Sequence, residues 1–564
     1  MDDYVLFERN LLALSRSDAE LCARLSAART TRGRYRFLSS RSGDVIPALV
    51  NRSGAAHPLH SLMDPRREAA RLVATVQDGG MLVILGLGGG YGAEAALARR
   101  DVNSVLVIES DIDGMAELLA AKDYVGVLSD ERVRLLVDAS PGQVRSYLLS
   151  TYRPALFGGI SVLPLRPRVD ADPTLFDTMS STIRSAIAEV SNDYSVQAYF
   201  GKRWFANAIR NLAAASFTPG PVPPAKRVAI TAAGPSLETC LDSLRRDRAS
   251  RFILATDTSL PALLSADIRP DAVVSIDCQH ISYYHFMDGL PEDVSLFLDL
   301  ASPPVVASRS AKPRFFSGGH PLTVYVSRNW RPIPYVDTSG GNVTYAAVAL
   351  ADALGAERIE LYGADFSYPR GGAYARGTYI HPYFQRAQNR LAPLESLFAA
   401  FLYRNETLER HEHNGVWRYE TKSLADYRER LEALAPTLSA ELVPTPGPGA
   451  PITVRAALRR PARSALPLFA SGRASMGPHE FLSLYRDRIL QIPSMTSSAS
   501  SFLSALSVES RDVLTTLLPT AAAIRRRYPA LNAGETLDAV REYCLEEIGR
   551  VLRQDVSSSG EPNY

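Results

Sequence analysis

Apolar positions along this chain keep two different periods, and the changes between them mark out its parts. The charged opening, residues 1–30, predicts helix, and residues 33–40 and 45–62 predict short strands. From Met81 the pattern becomes strand, turn, helix, and residues 173–215 carry apolar positions three and four apart, the spacing of one helix face. Further on, the runs Arg227–Thr231, Phe252–Ala255, Ala272–Ile276, Ser295–Leu298 and Ile359–Tyr362 alternate with amphipathic stretches. That alternation predicts a parallel α/β sheet. Residues 453–564 return to a helical period, broken only by Pro and Ser clusters such as 491–501, and residues 555–564 are expected to fray.

Two proline-rich stretches punctuate the pattern: Pro219-Gly220-Pro221-Val222-Pro223-Pro224, and Pro444 through Pro451. Neither continues a helix or fits a central strand. Either fits a long loop, but the pattern changes on each side, so boundaries are placed there. The expected blocks are 1–218, 225–455 and a helical domain over 456–564.

Composition narrows the class. With 564 residues, 46% hydrophobic and 22% charged, the chain is long enough for several domains and is not a disordered one. Lys and Arg number 62 against 60 Asp and Glu, a net charge of +2, so no basic field suits duplex DNA and no nucleic-acid partner is expected. No apolar run approaches about 20 residues, so no membrane span is expected. The opening MDDYVLFERNLL lacks the basic and apolar regions of a secretory signal. Cys22, Cys240, Cys278 and Cys544 lie far apart without CxxC spacing, so neither a zinc site nor a disulfide framework is expected. A cytoplasmic location is the expectation.

The first candidate for chemistry is a glycine loop. MLVILGLGGGYG runs an apolar strand into Gly86, Gly88, Gly89, Gly90 and Gly92, and a helix follows. A second strand ends on Glu109 and a third on Asp138. Glycines let the backbone turn tightly toward a ligand, and an acidic residue ending the next strand accepts from ribose hydroxyls. The order resembles class I methyltransferases and the related polyamine synthases over about 60 residues, which implies a Rossmann-like N-terminal domain. It departs from them in having Ile84 and Leu85 before the loop and no catalytic motif after the third strand. A Rossmann-like domain that binds nothing is the alternative.

The central block is richer. Gly234-Pro235-Ser236-Leu237 follows one strand, and Asp257-Thr258-Ser259 closes the next. Asp277 ends a third, Ser339-Gly340-Gly341-Asn342 opens a helix, and Gly363-Ala364-Asp365 ends a later strand before a Gly- and Tyr-rich loop. Asp257 and Asp277 each fit a structural role as well as a functional one. Their succession at strand ends is what points to a site, because open parallel sheets bind ligands outside their carboxyl ends.

The order GPSL, ATDTSLPALLSADIRPDAVVSID, GGNVTYAAVALADALGAERIELYGADFSYP resembles the MptE-like domain over about 225–455. That domain occurs in the motility-associated-factor (Maf) flagellin glycosyltransferases and in an archaeal 6-hydroxymethylpterin diphosphokinase. The three-block layout is similar to the former. The last motif also resembles a segment of bacterial sialyltransferases, so the resemblance implies an α/β protein with a Rossmann-like N-terminal domain, a sialyltransferase-like parallel α/β domain and a helical C-terminal domain. It implies a protein O-glycosyltransferase that moves a nonulosonic acid, of pseudaminic or legionaminic type, from a CMP-sugar to Ser or Thr of flagellin. CMP-nonulosonic acid is then the donor substrate, flagellin the partner, and no further cofactor is implied.

By the same resemblance Tyr368 and Tyr374 donate to the departing phosphate, although Ser367 is inserted before Tyr368 and Tyr374 stands where many MptE-like domains have His. Gly234, Ser236, Asp257, Thr258, Asp277, Ser339, Gly340, Gly341 and Asn342 are the expected donor-binding residues. His381, the histidine closest in sequence to the loop, is the expected base, with Asp365 and Asp257 as alternatives. Arg376 is a candidate fork for the sugar carboxylate. His280, His285, His411 and His413 are read as loop residues, the HEHNG run as a polar turn, and no metal site is expected. A pyrophosphokinase holding Mg²⁺ on Asp257, Asp277 and Asp365, or a non-catalytic flagellin assembly factor, are the competing readings.

Overall fold

Two parallel sheets organise this protein, seen here as a computed structural model that describes residues 3–28, 33–77, 79–218, 220, 222, 225–405, 407–413, 415–454, 469, 472–474 and 476–558. Most of the first proline stretch, most of 455–475 and the last residues 559–564 lie outside the described residues. The chain groups into two compact units: Met1–Gly201 with Leu490–Leu514 and Leu518–Glu542, and Lys202–Ile489 with Thr515–Leu517 and Tyr543–Tyr564. The helices Pro478–Leu490, Ala499–Ala505, Val508–Arg527 and Ala533–Ser558 therefore divide between the units, whereas the sequence suggested a separate helical domain. Val540 and Ile548, which stand in one helix on either side of that division, are both fully buried.

In the first unit, strands β1 (Tyr35–Ser39), β2 (Val45–Val50) and β3 (Ala56–Pro58) form an antiparallel sheet. β4 (Gly80–Leu85), β5 (Val102–Glu109), β6 (Val133–Val137) and β7 (Ile160–Pro164) form a parallel sheet in the order β6-β5-β4-β7. Met81, Leu82 and Val83 are fully buried, as are Val105, Leu106 and Val107. A strand covered on both faces needs such an uninterrupted apolar run. A parallel α/β arrangement is thus present in the first unit.

The second unit holds seven strands: β8 (Arg227–Thr231), β9 (Phe252–Thr256), β10 (Ala272–Ser275), β11 (Ser295–Asp299), β12 (Arg314–Phe316), β13 (Arg358–Tyr362) and, after three short strands, β17 (Glu441–Pro444). Their order is β12-β11-β10-β9-β8-β13-β17, and each neighbouring pair is parallel. The chain winds outward from β8 to β12 and then returns to the other side of β8. The carboxyl ends of β8 and β13 therefore flank the point where the winding reverses. The core beneath is Val228, Ile230, Leu254, Val274, Ile359 and Leu361, covered by Ala347, Val348 and Ala351 of the helix Val343–Ala353. The short strands β14 (Tyr368–Pro369), β15 (Leu408–His413) and β16 (Val416–Thr421) make a small antiparallel sheet. His411 and His413 thus lie on a hairpin strand rather than in the polar turn expected of HEHNG, because charged and bulky residues alternate there across a two-stranded ladder.

Candidate functional site

At the winding reversal the two strand ends are stitched together. Ala232 N–H donates to Tyr362 O at 2.8 Å, and Gly234 N–H donates to Gly363 O at 2.9 Å. Ser236 N–H donates to Asp365 Oδ2 at 2.9 Å. A Cβ on Gly234 would lie 2.5 Å from Gly363 O and 2.6 Å from Asp365 Oδ2, so only glycine admits this approach. Gly234 and Ser236 of this turn are among the expected donor-binding residues. Pro235 has no N–H group, and those of Gly234 and Ser236 are given to the neighbouring strand end. The loop beyond is strained: Phe366 and Arg370 have φ of 42° and 50°, a region that non-glycine residues seldom occupy and that clusters at functional sites.

Above this junction lies a cleft of about 220 Å³ lined by Gly234, Thr258, Asn342, Asp365, Tyr368 and Tyr374, together with Thr256, Val343, Thr344 and Tyr427. Open α/β sheets bind ligands at this topological position. Asn342 caps the helix Val343–Ala353, its side chain accepting from Tyr345 N–H at 3.0 Å. The backbone N–H groups of Val343 and Thr344 belong to the first turn of that helix, where no intrahelical acceptor exists. Burial pushes the Tyr374 phenol up to about 12, and burial also raises that of Tyr368, with Arg404 opposing. Both phenols therefore remain donors at neutral pH. Burial raises the Asp365 carboxyl as well, while its bond from Ser236 opposes.

Other expected residues are placed elsewhere. Ser236 is buried under the junction. Asp257, next to the cleft, accepts from Ser275 Oγ at 2.6 Å and from Thr258 N–H and Oγ1 at 2.7 and 3.0 Å. Ser339, Gly340 and Gly341 form the turn before the helix without lining the cleft, and Gly340 packs on the Tyr345 ring. His381 also does not line it: its ring packs against Phe398 at 4.9 Å, and Nε2 is buried without a hydrogen-bond partner. It was the expected base, but a sequence neighbour of the loop is carried away from the cleft by the helix Ile380–Ala387. Arg376 is exposed, its Nε 3.9 Å from Glu238. Asp257, Asp277 and Asp365 do not converge on a common ligand set among the described residues. Thr256, Thr344 and Tyr427 were missed, since nothing local distinguishes them from ordinary strand and helix residues.

The glycine loop of the first unit is filled by the chain itself. Glu109 forms a fully buried ion pair with Arg168 at 2.8 Å and accepts from Leu87 N–H at 3.2 Å. His60 Nε2 accepts from Gly89 N–H at 2.8 Å, and Tyr124 Oη donates to Gly88 O at 2.7 Å. A Cβ on Gly88 would meet His60 Nε2 at 2.5 Å. The carboxylate expected to accept from a ribose is held by a guanidinium.

Comparison with known proteins follows the same outline. Residues 202–371 match the family described as 6-hydroxymethylpterin diphosphokinase MptE-like. An uncharacterized protein of Treponema pallidum (strain Nichols) is 33% identical over 164 residues, 28% of this chain and 78% of that protein. Another from the same organism is 35% identical over 156 residues, 27% of this chain, and the match spans only about half of that relative, 55%. Among solved structures, a MAf glycosyltransferase from Magnetospirillum magneticum AMB-1 superimposes with a TM-score of 0.55 over 98% of this chain and 96% of that one, at 15% identity. The likeness is one of fold. No described helix is long and apolar enough to cross a membrane.

Proposed function

We propose that this chain, which belongs to the MptE-like family and shares its fold with a MAf glycosyltransferase, is a protein O-glycosyltransferase. Its donor is a CMP-activated nonulosonic acid of pseudaminic or legionaminic type, its acceptor a Ser or Thr of flagellin, and its working place the cytoplasm. The observation that carries this reading is the cleft at the winding reversal, where a helix N-terminus, hydroxyls and two phenols meet. Transfer breaks the bond between the anomeric carbon and the phosphate oxygen through an oxocarbenium-like transition state, so negative charge grows on the departing phosphate. The first-turn N–H groups of Val343 and Thr344 receive that phosphate. Tyr368 and Tyr374 donate to it as charge develops, the kind of preorganised stabilisation that favours the transition state over the ground state. Fold alone does not select an activity, so the chemistry of the lining carries the argument.

Calorimetric titration with CMP and with ATP is the direct test. CMP is expected to bind. Binding of ATP without CMP would replace this reading by a pyrophosphokinase. An unchanged flagellin mass in cells lacking the chain would leave an assembly factor.

A further inference from the structure

The proposed transfer also needs a group that takes the acceptor hydroxyl's proton, and the lining of the cleft holds one carboxylate, that of Asp365. Histidine, lysine and arginine do not occur among the lining residues. The other aspartates at neighbouring strand ends, Asp257, Asp277 and Asp299, stand outside the lining, and two of them are well engaged. Asp257 accepts from Ser275 and Thr258, and Asp299 accepts from Ala301 N–H at 2.7 Å and Gly318 N–H at 2.8 Å. Asp365 is bonded by Ser236 alone, whose N–H donates to Oδ2 at 2.9 Å. No hydrogen bond falls on its Oδ1 among the described residues, and this oxygen is not sealed from solvent, the residue being 5% exposed.

The carboxylate is also held in place from behind. Ala450 N–H donates to Asp365 O at 2.8 Å, and Ser367 Oγ donates to the same oxygen at 2.9 Å. Ser367 Oγ in turn accepts from Ala450 N–H at 3.0 Å. A Cβ on Gly449 would lie 2.6 Å from Asp365 Cα, and one on Gly447 would lie 3.1 Å from Ser236 Cβ. The second proline stretch, placed by its sequence at a boundary, thus packs two glycines against the back of Asp365 and its partner, with Pro448 between them restricting the backbone. A group fixed in this way needs no reorganisation at the moment of reaction. Burial raises the Asp365 carboxyl and Ser236 opposes. The titratable groups around it are the buried Cys240 thiol and, across the lining, the phenols of Tyr368, Tyr374 and Tyr427.

We infer that Asp365, backed by Ser367 and the Gly447–Ala450 segment, is the general base of the transfer, an assignment that rests on the glycosyltransferase reading. The acceptor oxygen gives its proton to Asp365 Oδ1 and forms the new bond to the anomeric carbon. The bond from that carbon to the phosphate oxygen breaks, and its electron pair leaves with CMP.

The test is flagellin glycosylation by the purified full chain with CMP-nonulosonic acid, with calorimetric CMP binding and thermal melts in parallel. Asp365→Asn keeps an acceptor for Ser236 N–H, so it should melt and bind CMP as the wild type does while turning over about 10²–10⁴-fold more slowly, the usual worth of a placed base. Asp365→Ala should regain part of its lost rate when formate is added, a carboxylate small enough to enter the vacated space. A side chain needed only for packing would show no such rescue. Should both variants melt early, the wild-type pH profile decides. Its rate should rise along an acid limb lying above the usual aspartate value of about 3.9, because burial raises the carboxyl. An Asn variant that transfers at close to the wild-type rate, a folded Ala variant that formate leaves unchanged, or a profile without that limb overturns the assignment while leaving the transferase reading intact. A wild-type chain that neither binds CMP nor transfers overturns both.

Discussion

Tyr374 lines the cleft with its phenol kept protonated by burial, and Tyr368 reaches the same cleft from the short strand β14. A donor that meets charge only as the phosphate departs contributes to rate more than to affinity. Tyr374→Phe and Tyr368→Phe should each slow transfer, by about 10²–10³-fold if the donor is fully preorganised. CMP affinity and melting temperature should stay near wild type. Steady-state rates on flagellin beside a thermal melt check this, and two Phe variants at wild-type rate would remove the phenols from the mechanism. These tyrosines were legible in the sequence because they follow a Gly-x-Asp-Phe strand end. The fate of Ser236 was not, because what occupies its N–H is Asp365, 129 residues away. His381 misled for the converse reason: nearness along the chain says little where a helix intervenes.

Among elements, the glycine loop after β4 was legible as a turn, and its contents were not, since His60 and Arg168 come from distant segments. His60 is 8% exposed, and burial, followed by the charge of Lys122, depresses it from 6.5 to about 4. The unfolded chain therefore binds this proton more readily than the folded one. The stability held by neutral His60 is present above about pH 6.5 and is lost as pH falls through about 4. Melting temperature measured between those limits should fall with acidity, and His60→Gln should flatten that fall. An equally steep fall in the variant would assign the acid sensitivity to other groups. Most strands were likewise readable from their apolar runs, whereas β12, of three residues, is too short to show a period and β17 runs into the proline stretch that begins at Pro444.

Over the whole molecule, the two parallel sheets were readable from their repeated strand-helix pattern, but the allegiance of the tail was not. Amphipathic helices announce that a face is buried without announcing against what. Because Leu490–Leu514 and Leu518–Glu542 belong to the first unit, ending the chain at residue 489 should lower that unit's melting temperature rather than release an independent domain. Calorimetric melts of full-length and shortened protein check this, and an unchanged first unit would contradict it. The molecule thus carries two points of winding reversal, one lined as a cleft and one closed on Arg168 and His60. If opening the second costs about 3 kcal/mol, the low end for disrupting a buried ion pair, fewer than about one molecule in a hundred is open at a given moment. Any ligand would then see its apparent affinity cut by the same fraction. Of two crevices equal in intrinsic affinity, the one at the seven-stranded sheet would then hold more than about a hundred ligands for each one in the other.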